Sequence, residues 1–194
     1  MRSLGFYARL AARNIQKNRR FYLPYLLTVL GTVAAFYIMS ALVFDPGTEN
    51  LAQGRANGAI YAKIFMTIGM VVAGLFSVVF LLYTNSFLMK RRQKELGLYS
   101  VLGMGKGNVA AMLCFESLYV ALLGAGGGLA AGILLHKLVA MVLYRLVRLP
   151  VPFGFSVSLQ GIWVTGLLFL GLILVTLLVN LLHLGRSRPV ELLR

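Results

Sequence analysis

Four uninterrupted apolar runs constrain this chain more than any other feature of its sequence. They occupy residues 21–44, 64–89, 108–135 and 161–182, and Glu116 is the only acidic or basic residue inside them. Each run reaches the ~20 residues that a helix needs to cross the ~30 Å hydrocarbon core of a bilayer. Because lipid offers no hydrogen-bond partners to the backbone, each run is expected to be helical. The sequence therefore predicts an all-α integral membrane protein with four transmembrane helices.

The basic residues predict the orientation of these spans. Of nineteen Lys and Arg, six precede the first run, five lie between the second and third, and three follow the fourth, whereas the other two connections hold two and three. The positive-inside bias then places both termini and residues 90–107 in the cytoplasm, with the chain in the cell membrane. This topology and attraction to anionic membrane lipid account for the net charge of +14, so nucleic acid is not expected as a partner.

Residues 1–20 form a basic segment ahead of the first span. Arg9 and Arg13 recur at helical spacing, with Ala11 and Ile15 on a different face. This pattern predicts an amphipathic helix on the inner leaflet; a disordered basic tail is the alternative. The predicted organisation is this segment, a four-span domain at 21–185, and a cytoplasmic tail at 186–194.

The third run contains a series of glycines at positions 124, 128 and 132. Gly124, Gly128 and Gly132 recur every four residues, which makes a flat ridge where a neighbouring helix can approach closely. The alternative is that the glycine-rich stretch weakens the helix, since each Gly costs up to ~1 kcal/mol relative to Ala. Such a point could bend during a transport cycle.

Glu116 lies in the same run, nine residues past Gly107, or about 13 Å along a helix. An ionisable residue at membrane depth is a candidate for function. Three interpretations stay open: a packing role, a place in a conformational switch, and proton transfer.

Catalytic and metal chemistry find little support in the sequence. Two His, one Cys and five acidic residues are spread over separate segments, so neither a catalytic constellation nor a metal site is expected. The glycine stretch GAGGG lies in an apolar run without the lysine of a phosphate-binding loop. The chain is therefore expected to bind no cofactor directly, and ATP would act through a partner subunit.

The charged interruption at residues 90–107, KRRQKELGLYSVLGMGKG, carries the sequence's most specific pattern. In a helix, Leu98, Val101 and Leu102 share one face while Lys94 and Glu95 project elsewhere. A merely solvated loop needs no apolar face. The pattern predicts a short amphipathic helix between spans two and three that sits in the groove of a cytoplasmic partner.

This interruption resembles the motif that the FtsX-like permease family of ATP-binding-cassette transporters carries between its second and third spans, with Glu95 and Gly97 followed by Gly103. The ending RPVELLR at 188–194 is also similar to the family's usual domain ending. The short first external connection looks most like the N-terminal four-span half of a bacitracin-resistance (Bce-type) permease. Such permeases continue through further spans and a large extracellular domain. This chain is then either part of a longer permease or a short form that pairs with another membrane subunit.

The resemblance implies a non-catalytic membrane subunit that couples a separate cytoplasmic ATPase, as a dimer, to antimicrobial-peptide resistance, export or sensing. A second permease half or subunit and a sensor kinase are further implied partners. The implied coupling residues are Arg92, Lys94, Glu95, Leu96, Gly97, Leu98, Tyr99, Val101, Leu102 and Gly103. Two rival interpretations remain: a relative that works in lipoprotein release or as a cell-division regulator, and a scaffold or small channel without an ATPase.

Overall fold

A computed structural model of the chain describes residues 2–44, 57–101, 104–146 and 157–186. Regular structure within these ranges is helical throughout. Four stretches are long and apolar enough to cross a membrane: Arg19–Val43, Lys63–Gln93, Gly107–Leu143 and Leu159–Leu182. The predicted all-α, four-span architecture is therefore confirmed. The central parts of the two connections predicted to be external, the predicted coupling residues Leu102 and Gly103, and the ending at 187–194 lie outside the described residues.

The N-terminal segment forms helix α1, Arg2–Lys17, and the first span forms α2, Arg19–Val43. Asn18 alone separates them; its backbone N–H donates to the carbonyl of Asn14 at 2.9 Å, and its carbonyl accepts from the N–H of Phe21 at 2.9 Å. Ala11 and Asn14 are buried, and Ala11 packs with Met112 of the third span's first helix. One face of α1 thus binds protein, while its placement on the membrane surface stays a prediction.

The second span belongs to α3, Asn57–Val101, a single helix of 45 residues. At ~1.5 Å per residue it is about 68 Å long, more than twice the thickness of a bilayer core. The stretch that was expected to form a short coupling helix is helical, but it continues α3 instead of forming a helix of its own. Residues 90–96 are all favourable helix formers, and the one glycine that follows, Gly97, is buried.

The third span consists of α4, Lys106–Val120, a π-helical turn at Ala121–Ala125, and α5, Gly126–Leu146. Its glycine ridge lies against α2. A Cβ built on Gly128 would lie 2.8 Å from the carbonyl oxygen of Leu30, and one built on Gly132 would lie 2.9 Å from Cδ1 of Tyr37. Larger residues at these positions would push the helices apart, since real Cβ atoms do not approach so closely.

The fourth span, α6, covers Leu159–Arg186 and also packs against α2. The rings of Phe36 and Phe169 meet edge to face with centroids 6.1 Å apart. Half of the apolar stretch of span one is buried, against 17–22% in the other three. Span one is therefore the centre of the bundle, and the large apolar side chains exposed on the other spans face outward, as lipid-facing residues do.

Candidate functional site

Four buried polar side chains meet at the α1 end of the bundle. This polar cluster consists of Asn14 from α1, Tyr22 from α2, Arg92 from α3 and Glu116 from α4, and none is more than 6% exposed. The first two spans and the helix at the start of the third contribute one residue each. The polar cluster thus joins α1 to three transmembrane segments.

The Glu116 carboxylate is the centre of the polar cluster. Its Oε1 accepts hydrogen bonds from Nδ2 of Asn14 at 2.8 Å and from Nη2 of Arg92 at 2.9 Å. Its Oε2 accepts from the Tyr22 hydroxyl at 2.8 Å and from Nη1 of Arg92. Both oxygens of the carboxylate therefore have two donors, and the arginine binds it through two nitrogens, the geometry of a strong ion pair.

Tyr22 also contacts the arginine directly. The Arg92 guanidinium lies over the tyrosine ring at 5.2 Å from its centroid, and Nη1 donates to the tyrosine hydroxyl. The hydroxyl accepts from the cation and donates to the anion, so it bridges the two charges. Chains of hydrogen bonds of this kind polarise and strengthen one another in a low-dielectric interior.

The position of Glu116 follows from its contact with Tyr22. Tyr22 lies three residues after Arg19, where span one begins, so Glu116 lies beside the first turn of span one rather than beside its middle. The earlier part of α4 packs beside α1, as the contact between Val109, Met112 and Ala11 shows. The structure thus places Glu116 in an internal ion pair that also packs four helices together.

A second polar contact lies one turn further along α3. Nδ2 of Asn18 is 2.9 Å and 2.8 Å from the two carboxylate oxygens of Glu95, and one of those oxygens is 3.9 Å from Nε of Arg92. Nε of Arg92 has no hydrogen-bond partner among the described residues. Glu95 is 40% exposed. The corner between α1 and α2 is therefore tied to the projecting part of α3, while one side of Glu95 faces solvent.

The coupling residues named from the sequence fall into distinct environments. Arg92 is buried in the polar cluster. Leu98 is 53% exposed, whereas Tyr99 is partly buried against the α1 and α4 contact. Gly97 is buried. Lys94, Leu96 and Val101 belong to α3, and their coupling role, like that of the others, stays a prediction.

Sequence reasoning missed Asn14, Asn18 and Tyr22. Their spacing of four residues was a usable signal, because it places three polar side chains on one face of a helix that enters the membrane. Because basic residues surround Asn14 and Asn18, the stretch was predicted to be a charged surface instead.

Another polar contact joins spans two and four. Nδ2 of Asn85 donates to Oδ1 of Asn180 at 2.9 Å, and the amide of Asn180 returns a bond at 3.1 Å. A cavity of about 20 Å³ lies between this pair and the Arg92 and Glu116 side chains. Reciprocal amides between helices stabilise packing inside a membrane, so Asn85 near the end of span two serves helix association.

These features define a multi-pass α-helical membrane protein whose second span projects well beyond the bilayer. The family described as "FtsX-like permease C-terminal" matches residues 67–189, which is more than half of the chain. The chain belongs to the FtsX-like permease family, and the resemblance noted at residues 90–107 is confirmed.

Several bacterial permeases are similar to this chain. The Bacitracin export permease protein BceB of Halalkalibacterium halodurans is 31% identical over 178 residues, which cover 92% of this chain and 27% of that protein. The protein of the same name from Bacillus subtilis is 29% identical over 171 residues, covering 88% and 26%. The Uncharacterized ABC transporter permease YvcS of Bacillus subtilis is 28% identical over 184 residues, covering 95% and 28%. The chain therefore spans 26–28% of the length of these relatives.

Proposed function

We propose that this chain is the membrane component of an ABC transporter that couples a separate cytoplasmic ATPase to antimicrobial-peptide resistance, export or sensing. Two relatives are named for bacitracin export, which supports a peptide antibiotic as the substrate class. In this proposal the partner subunit, and not this chain, binds and hydrolyses ATP. A second permease half or subunit and a sensor kinase complete the proposed assembly, with both termini in the cytoplasm.

One observation carries the coupling: α3 continues without a break from span two to Val101, and the polar cluster joins it to other helices where it leaves the membrane. A displacement of the projecting end is therefore transmitted along a rigid rod to span two. Through the Arg92–Glu116 ion pair it also reaches span three. Closure of an ATPase dimer around ATP would move both spans together and send a mechanical signal across the bilayer.

The docking surface in this proposal is the exposed side of α3 beyond the polar cluster. Leu98 offers an apolar side chain, and the open side of the Glu95 carboxylate can orient the partner. Asn18 donates a hydrogen bond to the Glu95 carboxylate. The binding of a partner at Glu95 would therefore also affect α1 and α2.

Docking is tested by replacing Leu98 with Ser and Glu95 with Ala, and by measuring co-purification with a co-expressed ABC ATPase. We expect the loss of one desolvated contact to reduce the retained ATPase about tenfold, corresponding to ~1.4 kcal/mol, and to lower resistance to bacitracin. Glu49→Ala is the matched control, because Glu49 lies in the connection predicted on the other side of the membrane. Unchanged ATPase binding and resistance in stably expressed Leu98 and Glu95 variants would rule out docking at this surface.

Transmission is tested separately from docking. The double replacement Arg92→Met with Glu116→Leu removes the ion pair without leaving a lone buried charge. We expect this variant to retain the ATPase but to lose most of its resistance. Full resistance in the double variant would show that the polar cluster is not part of the signal path.

A further inference from the structure

An apolar groove lies beside the polar cluster, between α1, the first turns of α2 and the π-helical turn of span three. It has a volume of about 150 Å³, and its walls include Ile15, Tyr22, Leu26 and Leu123. Leu123 is 59% exposed, so the groove is open along one side. Apolar cavities of about this size accept ligands as large as benzene, which is room for several methylene groups.

The rim of the groove is polar and basic. Gln16 and Arg19 line it at the end that leaves the membrane, and both are exposed. Residues 1–44 contain six Lys and Arg and no acidic residue. Among the described residues, no carboxylate lies within 4.0 Å of Arg19. The rim therefore offers a cation that no carboxylate in the described part of the chain neutralises.

The helical spacing aligns the cation with the apolar wall. Arg19, Leu23 and Leu26 follow one another at intervals of four and three residues and share one face of α2. Arg19 and Leu26 are thus about 10 Å apart along the helix axis. This is the separation between the phosphate level of a leaflet and the upper part of its acyl chains, and arginine at that level is placed to bind a phosphate.

We propose that the groove binds an anionic phospholipid of the leaflet on the α1 side, with the headgroup phosphate on Arg19 and one acyl chain between Leu26 and Leu123. The occupant is a lipid rather than a soluble phosphate because the wall below the cation is apolar and open to the membrane. The bound lipid contacts Tyr22, so the proposed site touches the polar cluster. The proposal does not depend on an ATPase partner.

Native mass spectrometry of the full chain in detergent tests this proposal, with phosphatidylglycerol and phosphatidylcholine of identical acyl chains as probes. We expect tighter binding of phosphatidylglycerol and a loss of about fivefold in its affinity for Arg19→Gln, since one basic residue near anionic lipid contributes ~1 kcal/mol. Arg20→Gln is the matched control, because Arg20 is exposed and does not line the groove. Equal affinity for the two lipids in the unchanged protein, or equal losses in the two variants, would overturn the proposal in favour of diffuse surface charge.

The acyl part of the site is tested by filling the groove. We expect Leu123→Trp to displace the tightly bound phosphatidylglycerol, whereas Leu122→Trp, on a neighbouring residue that is 64% exposed and outside the groove, retains it. Leu23→Trp serves as a second filling variant if Leu123→Trp aggregates. Retention of phosphatidylglycerol by a folded, groove-filled variant at unchanged affinity would show that the lipid binds elsewhere.

Discussion

The two ends of the helix bundle are joined by different chemistry. At the α1 end, long polar side chains reach across from three helices to the Glu116 carboxylate of a fourth. At the other end of span one, the contacts are short: the Ser40 hydroxyl lies 3.2 Å from that of Thr165, and a Cβ built on Gly161 would lie 3.2 Å from Cα of Ala41. Long polar side chains can exchange partners while helices shift, but backbones in direct contact leave no such freedom. The comparison suggests a fixed far end and an α1 end that can rearrange.

The largest expected effect comes from removing one charge of the α1 end. Glu116→Leu leaves the Arg92 guanidinium buried without a counter-ion, and we expect the free energy of unfolding to fall by ~3–5 kcal/mol. The measurement is equilibrium unfolding in mixed micelles titrated with SDS. The double variant Arg92→Met with Glu116→Leu should recover most of the loss. Equal destabilisation of the single and double variants would mean that shape rather than charge holds this end together.

Removing one hydroxyl from the polar cluster has the next largest effect. Tyr22→Phe deletes one of the two donors to Oε2 of Glu116, and hydrogen bonds to charged groups contribute ~1.5–3 kcal/mol. We expect a loss of unfolding free energy in that range. Tyr83→Phe is the control, because Tyr83 is 72% exposed and should show no change. A Tyr22 variant as stable as the unchanged protein would show that the hydroxyl does not stabilise the α1 end.

The close helix contact in the middle of the bundle is tested by adding one methyl group. We expect Gly128→Ala to destabilise the protein by ~1–3 kcal/mol, as overpacking does, because the new Cβ would lie 2.6 Å from Cβ of Val33. Gly126→Ala is the control in the same helix. Its Cβ would meet nothing within 4 Å, so it should stabilise the helix by up to ~1 kcal/mol. Similar effects of the two replacements on SDS unfolding would contradict close packing at Gly128.

The smallest effect is expected at the far end. Ser40→Ala removes the contact with Thr165, and hydrogen bonds between transmembrane helices average only ~0.6 kcal/mol. Thermal unfolding in detergent should show a small decrease, whereas Ser86→Ala, at an exposed position, should show none. A loss as large as that of Tyr22→Phe would erase the contrast between the two ends.

The sequence predicts the spans well because length and apolar content are sufficient to define them. It could not predict the ion pair. Lys90, Arg91 and Arg92 are consecutive cations, and only the unbroken phase of α3 turns Arg92 inward while the other two are exposed. Because span two was predicted to end at residue 89, the direction in which the Arg92 side chain faces could not be predicted. The partner of Asn14 was hidden for a related reason: an amphipathic pattern shows which face of a helix is buried but not which helix covers it.

The π-helical turn at Ala121–Ala125 changes the direction in which the side chains of span three face. In an unbroken α-helix, Glu116 and Gly124 would be turned about 80° apart, at ~100° per residue. A π turn absorbs one additional residue, which reduces the offset to about 20°. The Glu116 carboxylate and the glycine ridge therefore both face α2, the first toward Tyr22 and the second toward Val29. One additional residue in the turn allows a single side of span three to meet span one through a hydrogen bond at one height and through closely packed backbone at another.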